Sequence, residues 1–130
     1  MNPLINKNEN HRAVIKASIK MMLVDGTVHK RELRKIQEIY FFLFNKDLSD
    51  KDLQDLIFDV MKEHDFARGA NVVAETIAKS IVGKRSREDA TEALILVMLA
   101  DKTIHKDENS LIQLICDMWG TQDTYDRLLK

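Results

Sequence analysis

The chain has little of several things, and each scarcity removes a class of function. A single cysteine, Cys116, excludes an internal disulfide, a thiolate metal cage and a two-thiol redox motif. One proline and four glycines leave no glycine-rich phosphate loop. The longest purely apolar run, "ALILVMLA" (Ala93–Ala100), is too short to span a bilayer. Neither charge sign dominates: 20 Lys and Arg face 21 Asp and Glu. A general electrostatic grip on nucleic acid needs surplus positive charge on one face, so no nucleic-acid partner is expected. The opening "MNPLINKNEN" lacks an apolar signal core, and a cytoplasmic location with no membrane insertion is expected.

What is present is helical patterning. The 130 residues match one ordinary domain, and 45% of them are apolar, enough to fill a core. In "LQDLIFDVM", Leu53, Leu56, Ile57, Val60 and Met61 fall on one face of a 3.6-residue helix. No stretch alternates as a strand would. The spacing predicts an all-α domain over residues 10–130 after a flexible N-terminus of residues 1–9. Seven helices are expected: about Asn10–Asp25, Lys30–Asn45, a third from just after Ser49 to near His64, Ala67–Val82, a fifth from just after Ser86 to near Asp101, Lys106–Trp119, and a short last one after Thr121. Ser49 and Ser86, each with an acid three places on, read as N-terminal caps. Gly83 and Gly120 read as C-terminal caps. The fifth helix is apolar almost all round and should be central.

The strongest feature is a repeat. Met22–Ile39 and Met98–Ile115 align without gaps and are identical at ten of eighteen positions. Each copy is a helix, a turn and a helix. One copy cannot bury both its apolar faces alone, so two duplicated helix-turn-helix hairpins should pack about an internal pseudo-two-fold axis.

The turns, "DGTVHKRE" and "DKTIHKDE", resemble the second half of a calcium loop. With Gly26 at loop position six, Glu32 falls at twelve. Positions one and three need oxygen ligands, but hold Met21 and Leu23 in the first copy and Val97 and Leu99 in the second. That excludes a calcium-sensor EF-hand. Two readings remain open. In one the turns are hinges: Gly26 adopts a left-handed backbone, His29 caps the next helix, and Glu32 reaches back to complete the cap. In the other, Asp25, Glu32, Asp101 and Glu108 converge as metal ligands. Carboxylates about 4 Å apart repel by roughly 4 kcal/mol at an effective dielectric of 20. A divalent ion (Ca, Mg, Mn or Zn) would relieve this, with His29 and His105 as extra ligands for a softer metal. Lys30, Arg31 and Lys106 could serve instead.

"LVDGTVHKRELRKIQEI" and "LADKTIHKDENSLIQLI" resemble the two Ala-Asp-Gly-x-Ile-x-x-x-Glu copies of the TerB family of tellurite-resistance domains. "LSDKDLQDLI" and "SREDATEALILVMLAD" resemble its intervening segments, so the likeness runs from about His11 to Tyr125. It implies an all-α domain of duplicated hairpins. It also implies a non-enzymatic module of stress-response and tellurite-resistance systems, acting through protein partners, whose metal-associated acids fall on Asp25, Glu32, Asp101 and Glu108. Lys102, in place of the second glycine, sets a cation beside the second half-site.

Other features read more plainly. Cys116 and the scattered methionines suit core packing. "GKRSR" (Gly83–Arg87) reads as a solvated loop. In "YFFLF" (Tyr40–Phe44), Phe41 and Phe42 point away from the core face, so a protein contact or homodimer is expected there. Three functions compete: the cation-binding TerB-like module, a metal-free assembly module whose acids are only caps, and a metal-dependent hydrolase. No catalytic pattern supports the last, and no enzyme is expected.

Overall fold

A computed structural model of the chain describes residues 3–26, 29–63, 69–102 and 104–129, with the backbone alone at 3–8, 25, 70 and 101. All regular structure among these residues is helical. The helices are α1 (Pro3–Asp25), α2 (Lys30–Phe44), α3 (Asp50–Lys62), α4 (Ala70–Ser80), α5 (Lys84–Met98), α6 (Lys106–Trp119) and α7 (Gln122–Leu129), with a 3₁₀ turn at Leu99–Asp101 continuing α5. The expected all-α class is the one adopted.

Several ends follow from local chemistry. The Asp52 N–H donates to Ser49 Oγ at 3.1 Å, so serine caps α3 as its sequence signature indicates. Gly120 takes the left-handed backbone that closes α6. Two ends differ from expectation. α1 begins at Pro3, within the stretch expected to be a flexible N-terminus; proline suits a first helical position, where its missing N–H costs nothing. α4 stops at Ser80, where the hydroxyl donates to the Ile77 carbonyl at 2.7 Å. The chain then crosses the core in extended form at buried Ile81. Gly83 therefore sits at the N-cap of α5 rather than closing α4, and its carbonyl accepts the Arg87 N–H at 3.0 Å. Ser86 lies inside the first turn of α5 and does not cap it.

This elbow is tied to α1. The Asn10 side-chain amide donates to the Val82 carbonyl at 3.0 Å and accepts the Val82 N–H at 3.2 Å. The same Nδ2 reaches Ser86 Oγ at 3.2 Å. One side chain thus holds both the N–H and the carbonyl of Val82 and the start of α5.

The core is built on α1 and α5. Val14, Ile15, Ala17, Ile19, Met21 and Met22 are buried on α1, and Leu94, Ile95, Val97 and Met98 on α5. Such runs bury most of each helix along their length and leave only narrow wet stretches, at Arg12 and Lys16 on α1 and at Leu96 on α5, as suits a central helix. α1 packs on α2, and α5 on α6; α1 also meets α5 and α6, and α5 meets α2. Exchanging α1 with α5 and α2 with α6 returns the same set of contacts. On the far side of α1, buried Lys20 reaches Glu63 at 2.7 Å and Lys16 reaches it at 3.0 Å, fastening the end of α3.

Candidate metal centre

The two copies of the repeat make the same bend with different residues. In the first, Gly26 has φ +80° and its N–H donates to the Leu23 carbonyl at 3.1 Å. In the second, Lys102 has φ +65° and its N–H donates to Leu99 at 2.9 Å. Lysine therefore accepts the left-handed backbone that glycine adopts more easily. After each bend a histidine in extended conformation, His29 or His105, occupies the N-cap of the following helix, and neither makes a side-chain capping hydrogen bond.

The absence of that bond leaves the imidazoles directed elsewhere. The His29 and His105 rings stack with centroids 4.4 Å apart and planes 21° from parallel. One turn into each helix, Glu32 and Glu108 are fully buried. An acid in the first turn is favoured by the helix dipole. Complete burial of a carboxylate is costly without a compensating charge or hydrogen bonds. His29 Nε2 lies 3.7 Å from Glu32 Oε1. One ligand atom from each of His29, Glu32 and His105 falls within a span of 4.8 Å.

Metal–nitrogen and metal–oxygen bonds of about 2.0–2.1 Å place two ligands of one ion at most about 4.2 Å apart. Ligands of a tetrahedral ion lie closer, about 3.4 Å apart, so this cluster, spread over as much as 4.8 Å, must rearrange to close on one. Its donor set, two imidazoles and a buried carboxylate, is one that metals of the zinc type accept.

The four carboxylates named from the sequence fare unequally. Glu32 belongs to the cluster. Glu108 takes the equivalent buried place in α6 but is not among the three. The side chains of Asp25 and Asp101 lie outside what the structure describes. The histidines, secondary in the sequence reading, bring the two copies together. Their repetition at a cap position for which histidine is poorly suited was the available signal.

Among the described residues no other group of His, Cys, Asp and Glu side chains converges in this way. A shallow groove of about 300 Å³ is lined by Ile15, Lys16, Tyr40, Leu48, Asp55 and Leu56 among others. It has an apolar floor and charges of both signs, and it includes none of the cluster residues. Cys116 is buried, as core packing requires. No helix among the described residues is long and apolar enough to cross a membrane.

A family model described as "Tellurite resistance protein TerB" matches residues 11–127, nearly the whole chain. No curated protein and no solved structure matches.

Proposed function

The chain belongs to the TerB family, and we propose that this tellurite-resistance-type helical module binds a divalent cation where its two repeated turns meet and acts through a protein partner. The observation that carries the cation reading is the position of Glu32: fully buried, with His29 beside it and His105 arriving from the other copy. A cation at that point would join the starts of α2 and α6 through side chains from both copies. The partner reading draws on α2, where Phe42 is 85% exposed and Phe41 50% exposed. Large aromatic surface left in water at adjacent positions is typical of a contact face.

Thermal unfolding in the presence of divalent ions tests the first part. An ion that binds only the folded chain stabilises it by about 2.7 kcal/mol at a hundredfold excess over Kd. The midpoint should therefore rise with the right ion, and Glu32→Gln should abolish the rise. If no divalent cation moves the midpoint of the parent protein, the cation reading is lost.

A second reading takes the acids as helix-start residues only and the aromatic face as the working surface of a metal-free assembly module. It is favoured by the direct stacking of His29 on His105, which packs the two turns together through their own side chains.

A further inference from the structure

We propose that the cation this chain takes is of the zinc class rather than the calcium class, and that His29 and His105, one from each copy of the repeat, are the ligands that select it. The inference rests on the cation reading above and narrows it.

Calcium and magnesium require shells of six or more oxygens. The positions from which a calcium loop draws its first two oxygen ligands cannot contribute them here. Met21, buried, and Leu23 occupy the first copy's ligand positions, and Val97, buried, and Leu99 occupy the second's. The turns instead present two imidazoles. Nitrogen ligands suit zinc, cobalt, nickel and copper, whereas magnesium, calcium and manganese favour carboxylate, carbonyl and water. Glu32 supplies the charged oxygen. Three protein ligands leave room for a fourth, and tetrahedral zinc tolerates a water or a further side chain there.

The geometry adds a second consequence. An imidazole nitrogen offers its lone pair in the plane of the ring. Two rings only 21° from parallel direct their lone pairs side by side rather than at one point. To share an ion, at least one ring must swing out of the stack. The stacked and ion-bound arrangements therefore exclude each other. Taking up the ion exchanges a face-to-face contact between the copies for a coordinated bridge.

Calorimetric titration of the full chain with Zn²⁺, Co²⁺, Ca²⁺ and Mg²⁺ tests the proposal, using the parent, His29→Ser and His105→Ser. Serine is a stronger N-cap than histidine, so each variant keeps its helix start. Circular dichroism and the unfolding midpoint verify that it folds. The parent should bind Zn²⁺ and Co²⁺ in preference to Ca²⁺ and Mg²⁺. Bound Co²⁺ should show the intense visible bands of a low-coordinate, nitrogen-ligated site. Each serine variant should weaken Zn²⁺ binding by at least about tenfold, the scale seen even for supporting residues around a metal. If Ca²⁺ or Mg²⁺ binds as tightly as Zn²⁺, or folded serine variants bind Zn²⁺ as the parent does, the zinc-class assignment is overturned while the cation reading stands. If no ion binds, both fall.

Discussion

His29 and His105 belong to different copies of the repeat, yet their rings lie face to face, 4.4 Å between centroids. The two bends before them are consequently parts of one structure, although they are built from unlike residues. Gly26 holds φ +80° and Lys102 holds φ +65° for the same purpose.

That difference yields a reciprocal prediction. A non-glycine residue in the left-handed region costs about 1–2 kcal/mol, partly offset by the larger unfolded-state freedom of glycine. Lys102→Gly should raise stability by about 0.5–1 kcal/mol in denaturant titration. Gly26→Lys should lower it by about the same amount. A Cβ added at Gly26 meets nothing within 4 Å, so the loss should be mainly conformational. Equal effects of the same sign would refute the account.

Acid should loosen the fastening between α1 and α3. Burial pushes the Glu63 carboxyl up, but hydrogen bonds and charge from Lys20 and Lys16 outweigh it and hold the group below its usual 4.5. A depressed folded pKa gives stability that is fully present above the unfolded value and lost as pH falls through the folded one. Glu63→Gln should therefore be least stable relative to the parent near neutrality. The gap should begin to close below about pH 4.5 and vanish in stronger acid. Urea melts across that range would show a constant gap if the ion pairs contributed nothing.

Cys116 should be inert while the chain is folded. Burial raises its pKa, only partly countered by hydrogen bonding with Thr121 and Thr91. The thiolate is the reactive form, so both access and ionisation are reduced. Iodoacetamide should modify the thiol slowly in buffer and rapidly in urea, as read by intact mass. Fast native labelling would contradict its placement in the core.

The proposed partner face on α2 is open to direct test. If it joins two copies, the parent should scatter light as a dimer and Phe41→Glu or Phe42→Glu as monomers with unchanged helicity. A parent that remains monomeric at all concentrations would end the homodimer proposal.

Much of this was readable from residue order, and the failures have physical causes. The repeat, the Ser49 cap and the Gly120 stop are local signals and need nothing from elsewhere in the fold. The start of α5 is not local. Glycine at position 83 suits either end of a helix, and the choice is made by Ile81, which must reach the core, and by Asn10, far away in sequence. The centrality of α1 was hidden because its buried positions include Ser18 and Lys20, which break up the apolar pattern a central helix otherwise shows. Glu32 and Glu108 were legible as acids at helix starts but not as buried ones, since glutamate is almost never fully buried unless compensated. The stacking of the histidines depends on how the hairpins pack, which no single hairpin encodes.

The grip of Asn10 on the Val82 peptide bears on where this domain can be cut. The family match begins one residue later, at position 11. A fragment trimmed to that boundary would contain every residue of the recognisable pattern and yet lack the side chain that steadies the elbow ahead of α5. Such a fragment would leave the extended crossing at Ile81 and Val82 without its hold on α1, so a working boundary lies at or before position 10.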